Sequence, residues 1–263
     1  MSQSSIQASH LQAATILLER RQNGTQGDAL PAPIRPDNLV TAFAIQCALS
    51  ELIDVPVAAW KCGLPTSAAP DKWVLAPIYA SDVHEASEHT CKVWAREGQI
   101  KIEPELAFIL AHDLPARAAP YTPADVDAAV AGTRLALELI DSRYTHPEQL
   151  TFYDHFADGL FNQGLLLGPA VDTQLAQQTT QLSITLSIAG QPDISLDGQH
   201  PAGMPRLPLY WLAEFLRSKG LGLQAGQAVI TGSYAGSPTV PVGTDIQVQF
   251  GELDLIRAAF EGK

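Results

Sequence analysis

The chain has 263 residues, of which 46% are hydrophobic and 17% charged, a balance typical of a folded globular protein rather than a disordered one. Its formal net charge of −12 argues against binding to nucleic acid and to an anionic membrane surface. We also expect no membrane-spanning segment, because no apolar run approaches the roughly 20 residues that a bilayer requires.

The chain has three cysteines, Cys47, Cys62 and Cys91, and their spacing contains no CxxC pair. Residues 1–10 are polar and lack the basic start and apolar core of a secretion signal. An odd number of cysteines without such a signal favours reduced thiols, so we expect a cytoplasmic protein.

The N-terminal part is predicted to be helical. The apolar spacing within residues 6–22 predicts one helix, and Asp37 is predicted to cap a second helix that reaches Leu52. Residues 55–62 have the composition of a strand, and residues 74–79 that of a shorter strand. We therefore expect a helical part to precede the first strand.

Strand patterns dominate the rest of the chain. A Glu-Gly turn separates residues 92–95 from residues 100–110, and this arrangement predicts a hairpin. Thr122 precedes a proline and is predicted to cap a helix. We expect this helix to run to about Leu137.

The later elements are also mostly strands. We predict one helix and several strands, the helix at residues 207–219 and the strands at residues 138–144, 182–188, 228–231, 240–250 and 255–260. The regular βαβα alternation of a doubly wound sheet is not present. The sequence predicts an α+β fold, with a helical part at residues 1–54 and a mixed β-roll or partly open barrel at residues 55–263.

Residues 102–108 read Ile-Glu-Pro-Glu-Leu-Ala-Phe and place two carboxylates inside an apolar run. Successive side chains of a strand point to opposite faces, so Glu103 and Glu105 lie on one face. Ile102 and Leu106 then pack on the other. Two buried carboxylates side by side repel each other unless a cation lies between them, and all-oxygen ligation favours Mg²⁺ or Mn²⁺. The alternative is an edge strand with two solvated glutamates.

A third carboxylate and a lysine also stand in apolar surroundings. Glu138 is the candidate third ligand, because an unpaired charge among apolar neighbours is costly. Its alternative is an exposed glutamate at a helix end that pairs with Arg134. Lys61 follows the apolar residues 55–60, and burial would lower its pKa and suit it to acid–base chemistry. The alternative is a surface lysine that extends past Trp60 to solvent.

Gly232 and Ser233 follow an apolar strand. Glycine permits close approach of the backbone, and the Ser233 hydroxyl can bind a substrate carboxylate. The alternative is an ordinary turn. None of the seven histidines belongs to an HExxH pattern, and His200 is expected to be a loop residue rather than a catalytic one.

Several segments together make the chain resemble the 2-oxopent-4-enoate hydratase and 4-oxalocrotonate decarboxylase branch of the fumarylacetoacetate hydrolase superfamily. The matching segments follow one another in the same order over nearly the whole length, at residues 17–21, 42–46, 60–64, 102–108, 138–143, 203–205, 211–213 and 231–233. Several blocks in the right order are far more specific than any one of them.

The resemblance implies a β-roll with the active site in its mouth. It implies that Glu103, Glu105 and Glu138 hold Mg²⁺ or Mn²⁺. It also implies catalytic roles for Lys61 and for Asp71, although the loop before Asp71 is shorter than in the family.

The resemblance implies a small 2-oxo acid as the substrate, contacted by Ser233, Arg143 and Leu64. The predicted reaction is metal-dependent addition of water to a 2-hydroxy-2,4-dienoate. The alternatives are decarboxylation of 2-oxo-3-hexenedioate and a catalytically silent partner subunit. Enzymes of this branch associate with one another, so a homo-oligomer and a complex with a related pathway enzyme both stay open.

One segment departs from the family pattern. Hydratases of the family carry Ala-Asp-Asn and small polar residues where residues 157–162 of this chain read Ala-Asp-Gly-Leu-Phe-Asn. Leu160 and Phe161 near the pocket favour an uncharged substrate tail. Arg206 or Lys72 near the pocket would instead favour the second carboxylate of a decarboxylase substrate.

Overall fold

The computed structural model describes residues 6–65, 69, 72–88 and 90–263. The helices are α1 (Ala8–Asn23), α2 (Leu39–Leu52), α3 (Pro123–Ala129), α4 (Phe152–Ala157), α5 (Thr173–Gln178) and α6 (Leu207–Ser218). The strands are β1 (Val57–Gly63), β2 (Val74–Tyr79), β3 (Val83–Glu85), β4 (Thr90–Val93), β5 (Gln99–Leu110), β6 (Val130–Ile140), β7 (Asn162–Val171), β8 (Gln181–Ile188), β9 (Ile194–Gln199), β10 (Ala228–Ile230), β11 (Thr239–Pro241), β12 (Asp245–Phe250) and β13 (Asp254–Gly262).

The strands form two mixed sheets. The larger sheet has the order β2-β1-β10-β5-β6-β7-β3, and β11 also pairs with β5. The smaller sheet has the order β4-β13-β12-β8-β9. Apolar side chains from both sheets share one buried core, while the opposite face of the larger sheet carries a smaller core of mostly alanine, leucine and isoleucine. The larger sheet therefore curls into a roll, and the predicted α+β roll with a helical N-terminal part is confirmed.

Strand β5 separates the two cores by the alternation of its side chains. Ile102 and Leu106 are fully buried in the core shared by the two sheets. Ala107 belongs to the core inside the roll, and it lies on the same face of the strand as Glu103 and Glu105. The carboxylates of this strand therefore face the interior of the roll.

The N-terminal helices pack against the first strands. Asn38 caps helix α2, because its side chain accepts the Thr41 N–H, so the cap lies one residue after the predicted Asp37. Leu17 and Ile45 share a core cluster with Leu75 of β2. The division of the chain near residue 54 stays a prediction, since this core is common to both parts.

Two predicted local structures are wrong. The helix that begins after Thr122 ends at Ala129, and the residues up to Ile140 form β6 between β5 and β7, because their apolar side chains alternate with the period of a strand. The predicted hairpin is also absent from the described residues. The turn near Arg96 exists, but β4 pairs in parallel with β13 of the smaller sheet instead of with β5.

The predicted strand at residues 240–250 is divided into β11 and β12, which belong to different sheets. Among the described helices, none combines the length and the apolar character needed to cross a bilayer.

Candidate metal centre

Three carboxylates meet inside the roll, and we call Glu103, Glu105, Glu138 and Lys61 the carboxylate cluster. Glu103 of β5 lies directly opposite Glu138 of β6 in the antiparallel register, so their side chains share one face. Glu105 follows on the same face of β5. One oxygen from each of the three carboxylates lies within 4.8 Å of the others, with Glu105 and Glu138 buried and Glu103 partly buried.

Glu138 is held from one side by two donors. Lys61 Nζ lies 2.6 Å from Glu138 Oε1, and Asn162 Nδ2 donates to the same oxygen at 2.9 Å. The other oxygen, Oε2, is buried and has no hydrogen-bond partner among the described residues. A buried carboxylate oxygen without a partner is costly, so Glu138 is oriented to receive a further ligand.

The loop between β10 and β11 holds the two other carboxylates. The Gly232 N–H donates to Glu105 Oε2 at 2.6 Å, and the Ser237 hydroxyl donates to Glu103 Oε1. The N–H of Tyr234 also donates to a backbone carbonyl between the two glutamates, at 3.0 Å. This loop therefore lies along β5 and fixes both side chains from the same side.

The cluster carries three carboxylates against one ammonium group. Burial, followed by the charges of Glu138 and Glu103, raises the pKa of Glu105 well above its usual value. Burial also raises the pKa of Glu138, despite the neighbouring ammonium. Burial alone would lower the pKa of Lys61, but the three carboxylates outweigh it and hold that pKa above its usual value.

The donor set fits a hard divalent cation. Three carboxylate oxygens within reach of one centre are the ligands that Mg²⁺ and Mn²⁺ prefer. The unpartnered Oε2 of Glu138, and the pKa of Glu105 that burial and then the neighbouring carboxylates raise, both show that negative charge is costly at this place. A bound cation would remove both costs.

Two alternatives raised by the sequence do not hold. Arg134 pairs with Glu85 at 2.5 Å rather than with Glu138. The Lys61 side chain is only 12% exposed, and its Nζ also donates to the Leu160 carbonyl at 3.1 Å, so it does not extend to solvent.

The structure gives less direct support for the predicted substrate contacts and for Asp71 than for the carboxylate cluster. The Ser233 hydroxyl donates to the Gly236 carbonyl at 2.7 Å, in the loop that holds Glu105. Leu64 directly follows β1, which carries Lys61. Asp71 lies outside the described residues. The roles of these residues stay predictions.

Arg143 is buried, and it contacts Asn162, the residue that donates to Glu138. Its Nε contacts both carboxylate oxygens of Asp158 at 2.8 and 2.9 Å, and its Nη2 donates to the Asp158 carbonyl. Its Nη1 donates to the carbonyls of Asp141 and Asn162. Contact with a substrate would require Arg143 to give up internal partners, and its predicted role as a substrate contact is untested.

The segment that departs from the family lies at the cluster. Gly159, Leu160 and Phe161 all adopt positive φ, at 83°, 53° and 67°, a conformation that leucine and phenylalanine rarely take. The resulting turn directs the Leu160 carbonyl to Lys61, while the Phe161 ring stacks on His155 with centroids 4.4 Å apart. This turn positions the amine of Lys61 against Glu138.

Sequence reasoning missed two residues that hold the carboxylates. Asn162 begins β7, a strand that was not predicted, and Ser237 lies in a loop where serine is common. A search for polar residues at the start of apolar runs would have found Asn162, which precedes a Gly-Leu-Leu-Leu run by two residues.

Comparison with known proteins identifies the family. The model of the fumarylacetoacetate (FAA) hydrolase C-terminal family matches residues 59–262. The chain is 29% identical over 162 residues to a 2-keto-4-pentenoate hydratase of Burkholderia vietnamiensis, covering 62% of this chain and 61% of that protein. It is 30% identical over 164 residues to the TodF product hydratase of Pseudomonas putida, covering 62% of this chain and 59% of that protein. The matched part thus spans about three-fifths of the length of these relatives.

A solved structure shows the same fold over almost the whole chain. The 4-oxalocrotonate decarboxylase from Pseudomonas putida G7, complexed with magnesium and adipate, superimposes with a TM-score of 0.74 at 19% identity. The superposition covers 96% of this chain and 97% of that one, so it includes the N-terminal helices.

Proposed function

Because this chain belongs to the fumarylacetoacetate hydrolase family, we propose that it is a divalent-metal-dependent lyase that adds water to a 2-hydroxy-2,4-dienoate. The observation that carries the proposal is the carboxylate cluster, in which three acids converge inside the roll with Lys61 against one of them. The names of the hydratase relatives support the same class of substrate.

Glu103, Glu105 and Glu138 would hold Mg²⁺ or Mn²⁺. When bound, the ion would supply Lewis-acid stabilisation of the negative charge that develops on the oxygens of a 2-oxo acid, an effect worth several kcal/mol. The chain's own donors prepare for this, since Lys61 and Asn162 occupy one oxygen of Glu138 and leave the other free of partners within the described residues.

Lys61 is the proton carrier in this proposal. Its ammonium group is fixed by Glu138 Oε1 and the Leu160 carbonyl, which leaves one N–H for a substrate. Lys61 gives its proton to the distal carbon of the dienol as the enol hydroxyl loses its own proton, which produces the 2-oxo-3-enoate. Water then adds across the remaining carbon–carbon double bond, its hydroxyl to C4 and its other proton to C3. The proton released by the enol restores the ammonium group of Lys61. Asp71, which precedes the described Lys72, is proposed to share the proton transfer.

Decarboxylation of 2-oxo-3-hexenedioate is the second candidate, favoured by the likeness in fold to 4-oxalocrotonate decarboxylase. The charged tail of that substrate needs a cation. Arg206 is instead paired with Asp127, and Lys72 lies over the ring of Phe152 at 5.3 Å. Both cations therefore have other partners, which favours a substrate with an uncharged tail.

The deciding experiment supplies Mg²⁺-loaded protein with 2-hydroxypenta-2,4-dienoate and, separately, with 2-oxohex-3-enedioate. We expect the dienol absorbance of the first substrate to disappear and no CO₂ to be released from the second. Release of CO₂ would favour the decarboxylase. Inactivity on both substrates, in a protein that still binds the metal, would favour the silent partner subunit.

We further propose that the protein works in a reducing compartment, the cytoplasm, because Cys47, Cys62 and Cys91 are all free thiols. A homo-oligomer or a complex with a related enzyme is compatible with this location. Light scattering of the purified protein, alone and mixed with a decarboxylase of the same branch, measures both.

A further inference from the structure

A buried histidine lies against the loop that fixes Glu105. His200 directly follows β9, and it is 1% exposed. Its ring meets that of Tyr234 edge-on, with centroids 5.2 Å apart. Tyr234 belongs to the same loop and is tied by its own N–H to the backbone between Glu103 and Glu105. The ring of His200 therefore packs against the loop that holds Glu103 and Glu105.

The hydrogen bonds of His200 define which nitrogen carries the proton. The Ala202 N–H donates to His200 Nδ1 at 3.2 Å, so Nδ1 acts as an acceptor and bears no hydrogen. A neutral imidazole then carries its hydrogen on Nε2, which lies 3.3 Å from Thr231 Oγ1. Burial lowers the pKa of His200 to about 4, which is consistent with this neutral form.

Thr231 connects His200 to the cluster through one peptide. Thr231 is fully buried, and the peptide that follows it carries the Gly232 N–H, which donates to Glu105 Oε2 at 2.6 Å. Gly232 has a φ of 125°, and a Cβ there would lie 2.7 Å from Pro201 Cγ, the residue after His200. The segment that carries His200 is therefore in close contact with the peptide that donates to Glu105.

We propose that His200 is a positioning residue of the metal centre: its Nε2–H holds Thr231 Oγ1 and so aims the Gly232 N–H at Glu105. This inference rests on the metal site of the proposed function. It assigns His200 no contact with the substrate and no proton transfer.

The test measures Mn²⁺ binding to the full chain by titration calorimetry and by the electron paramagnetic resonance of the bound ion. Thr231→Val keeps the shape of the side chain and removes the acceptor, and we expect it to weaken Mn²⁺ binding about 10-fold, as loss of a ligand's supporting partner does. Thr231→Ser keeps the hydroxyl, so its affinity for Mn²⁺ should stay within about 3-fold of the wild-type affinity. This is less than the tenfold change that corresponds to a free-energy difference of about 1.4 kcal/mol.

A second pair of variants tests the other partner of the same hydrogen bond. His200→Gln retains an amide donor near the position of Nε2 and should bind Mn²⁺ nearly as the wild type does. His200→Leu retains bulk without a donor and should match Thr231→Val. This pair decides the question if Thr231→Val does not unfold cooperatively. Thr133→Val is the matched control, because Thr133 is equally buried and its hydroxyl has no partner among the described residues.

Each outcome has one meaning. Equal Mn²⁺ affinity in the wild type and in folded Thr231→Val or His200→Leu overturns the inference and leaves the metal centre intact. An equal loss in Thr231→Ser and Thr231→Val also overturns it, since shape rather than the hydroxyl would then matter. Absence of Mn²⁺ binding in the wild type overturns the proposed metal centre and this inference together.

Discussion

Two buried groups of charged side chains lie close together in this molecule, and they differ in whether their positive and negative charges cancel. Arg143 and Asp158 form a pair of one cation and one anion, each nearly inaccessible, whose hydrogen bonds are supplied by the protein itself. The carboxylate cluster instead has three acids and one lysine, and one oxygen of Glu138 lacks a partner among the described residues. A structural ion pair requires that its charges cancel within the protein, whereas the excess of negative charge in the carboxylate cluster indicates a ligand site.

The largest effect is expected from removing one member of the Arg143–Asp158 pair, which we call the balanced pair because its two charges cancel. Arg143→Met leaves the Asp158 carboxylate buried without its cation, which should lower the free energy of unfolding by about 3–5 kcal/mol. Urea denaturation measures this loss. Arg117→Met removes an exposed pair with Asp125 together with hydrogen bonds to the carbonyls of Ala119 and Pro120, and it should cost much less than Arg143→Met because these groups are open to solvent. Equal losses in the two variants would show that burial of the Arg143 pair has no energetic consequence.

Neutralising one acid of the unbalanced cluster should act on function rather than on folding. Glu105→Gln removes a proposed ligand, and we expect metal affinity to fall by at least about 100-fold, with turnover falling in parallel. The metal-free variant should be no less stable than the wild type, because one source of repulsion is removed. Calorimetry and the dienol assay measure the first two quantities and thermal unfolding the third.

The control for this variant is Glu252→Gln, an exposed glutamate in the turn between β12 and β13. It should retain wild-type metal affinity. Unchanged metal binding in Glu105→Gln would remove Glu105 from the site.

Addition of the cation should stabilise the folded protein through the carboxylate cluster, and this effect should not depend on the balanced pair. An ion that binds only the folded state stabilises it by about 2.7 kcal/mol when its concentration is 100 times the Kd. We therefore expect Mg²⁺ or Mn²⁺ to raise the Tm of the wild type and of Arg143→Met alike, and to leave the Tm of Glu105→Gln unchanged. A rise in all three proteins would indicate a metal site elsewhere.

The pH dependence follows from the raised pKa of Glu105. Folding of the metal-free protein favours the protonated carboxyl, so this stabilising contribution is present below the usual glutamate pKa and is lost as pH rises through the raised one. Relative to Glu105→Gln, the metal-free wild type should therefore lose stability with rising pH across that range. Metal uptake should strengthen over the same range and release up to about one proton per ion, which calorimetry in two buffers detects.

The smallest effect is expected at the rim of the cluster. Ser237→Ala removes the hydroxyl that donates to Glu103, the most exposed of the three acids. One partly exposed hydrogen bond is worth about 0.5–1.5 kcal/mol, so Mn²⁺ affinity should fall only about 3-fold. A loss as large as that of Glu105→Gln would contradict the assignment of Ser237 as a supporting residue.

Local pattern was enough to predict part of this site. The spacing of Glu103 and Glu105 within an apolar run fixes both on one face of a strand, and the structure places them so. The face of Glu138 could not be derived in this way, because a helix was expected up to Leu137. Only the resemblance to a family connected Glu138 with the other two, since its position opposite Glu103 depends on the pairing of β5 with β6.

The remaining errors have the same physical origin. Strand β4 was paired with its neighbour in sequence, but it lies beside β13, near the other end of the chain. Strand β7 was missed, and with it Asn162, since a short apolar run is compatible with more than one structure. Such pairings depend on contacts between distant parts of the chain, which periodicity within one segment does not contain.

The pairing of Glu103 with Glu138 has a consequence for folding. A slip of one residue between β5 and β6 would turn one set of carboxylates into the apolar core between the sheets, where Ile102 and Leu106 now lie. Only the correct alignment brings all three acids together, so an ion held by them would stabilise that alignment alone. Metal binding during refolding would thus favour the correct pairing of the central strands of the roll.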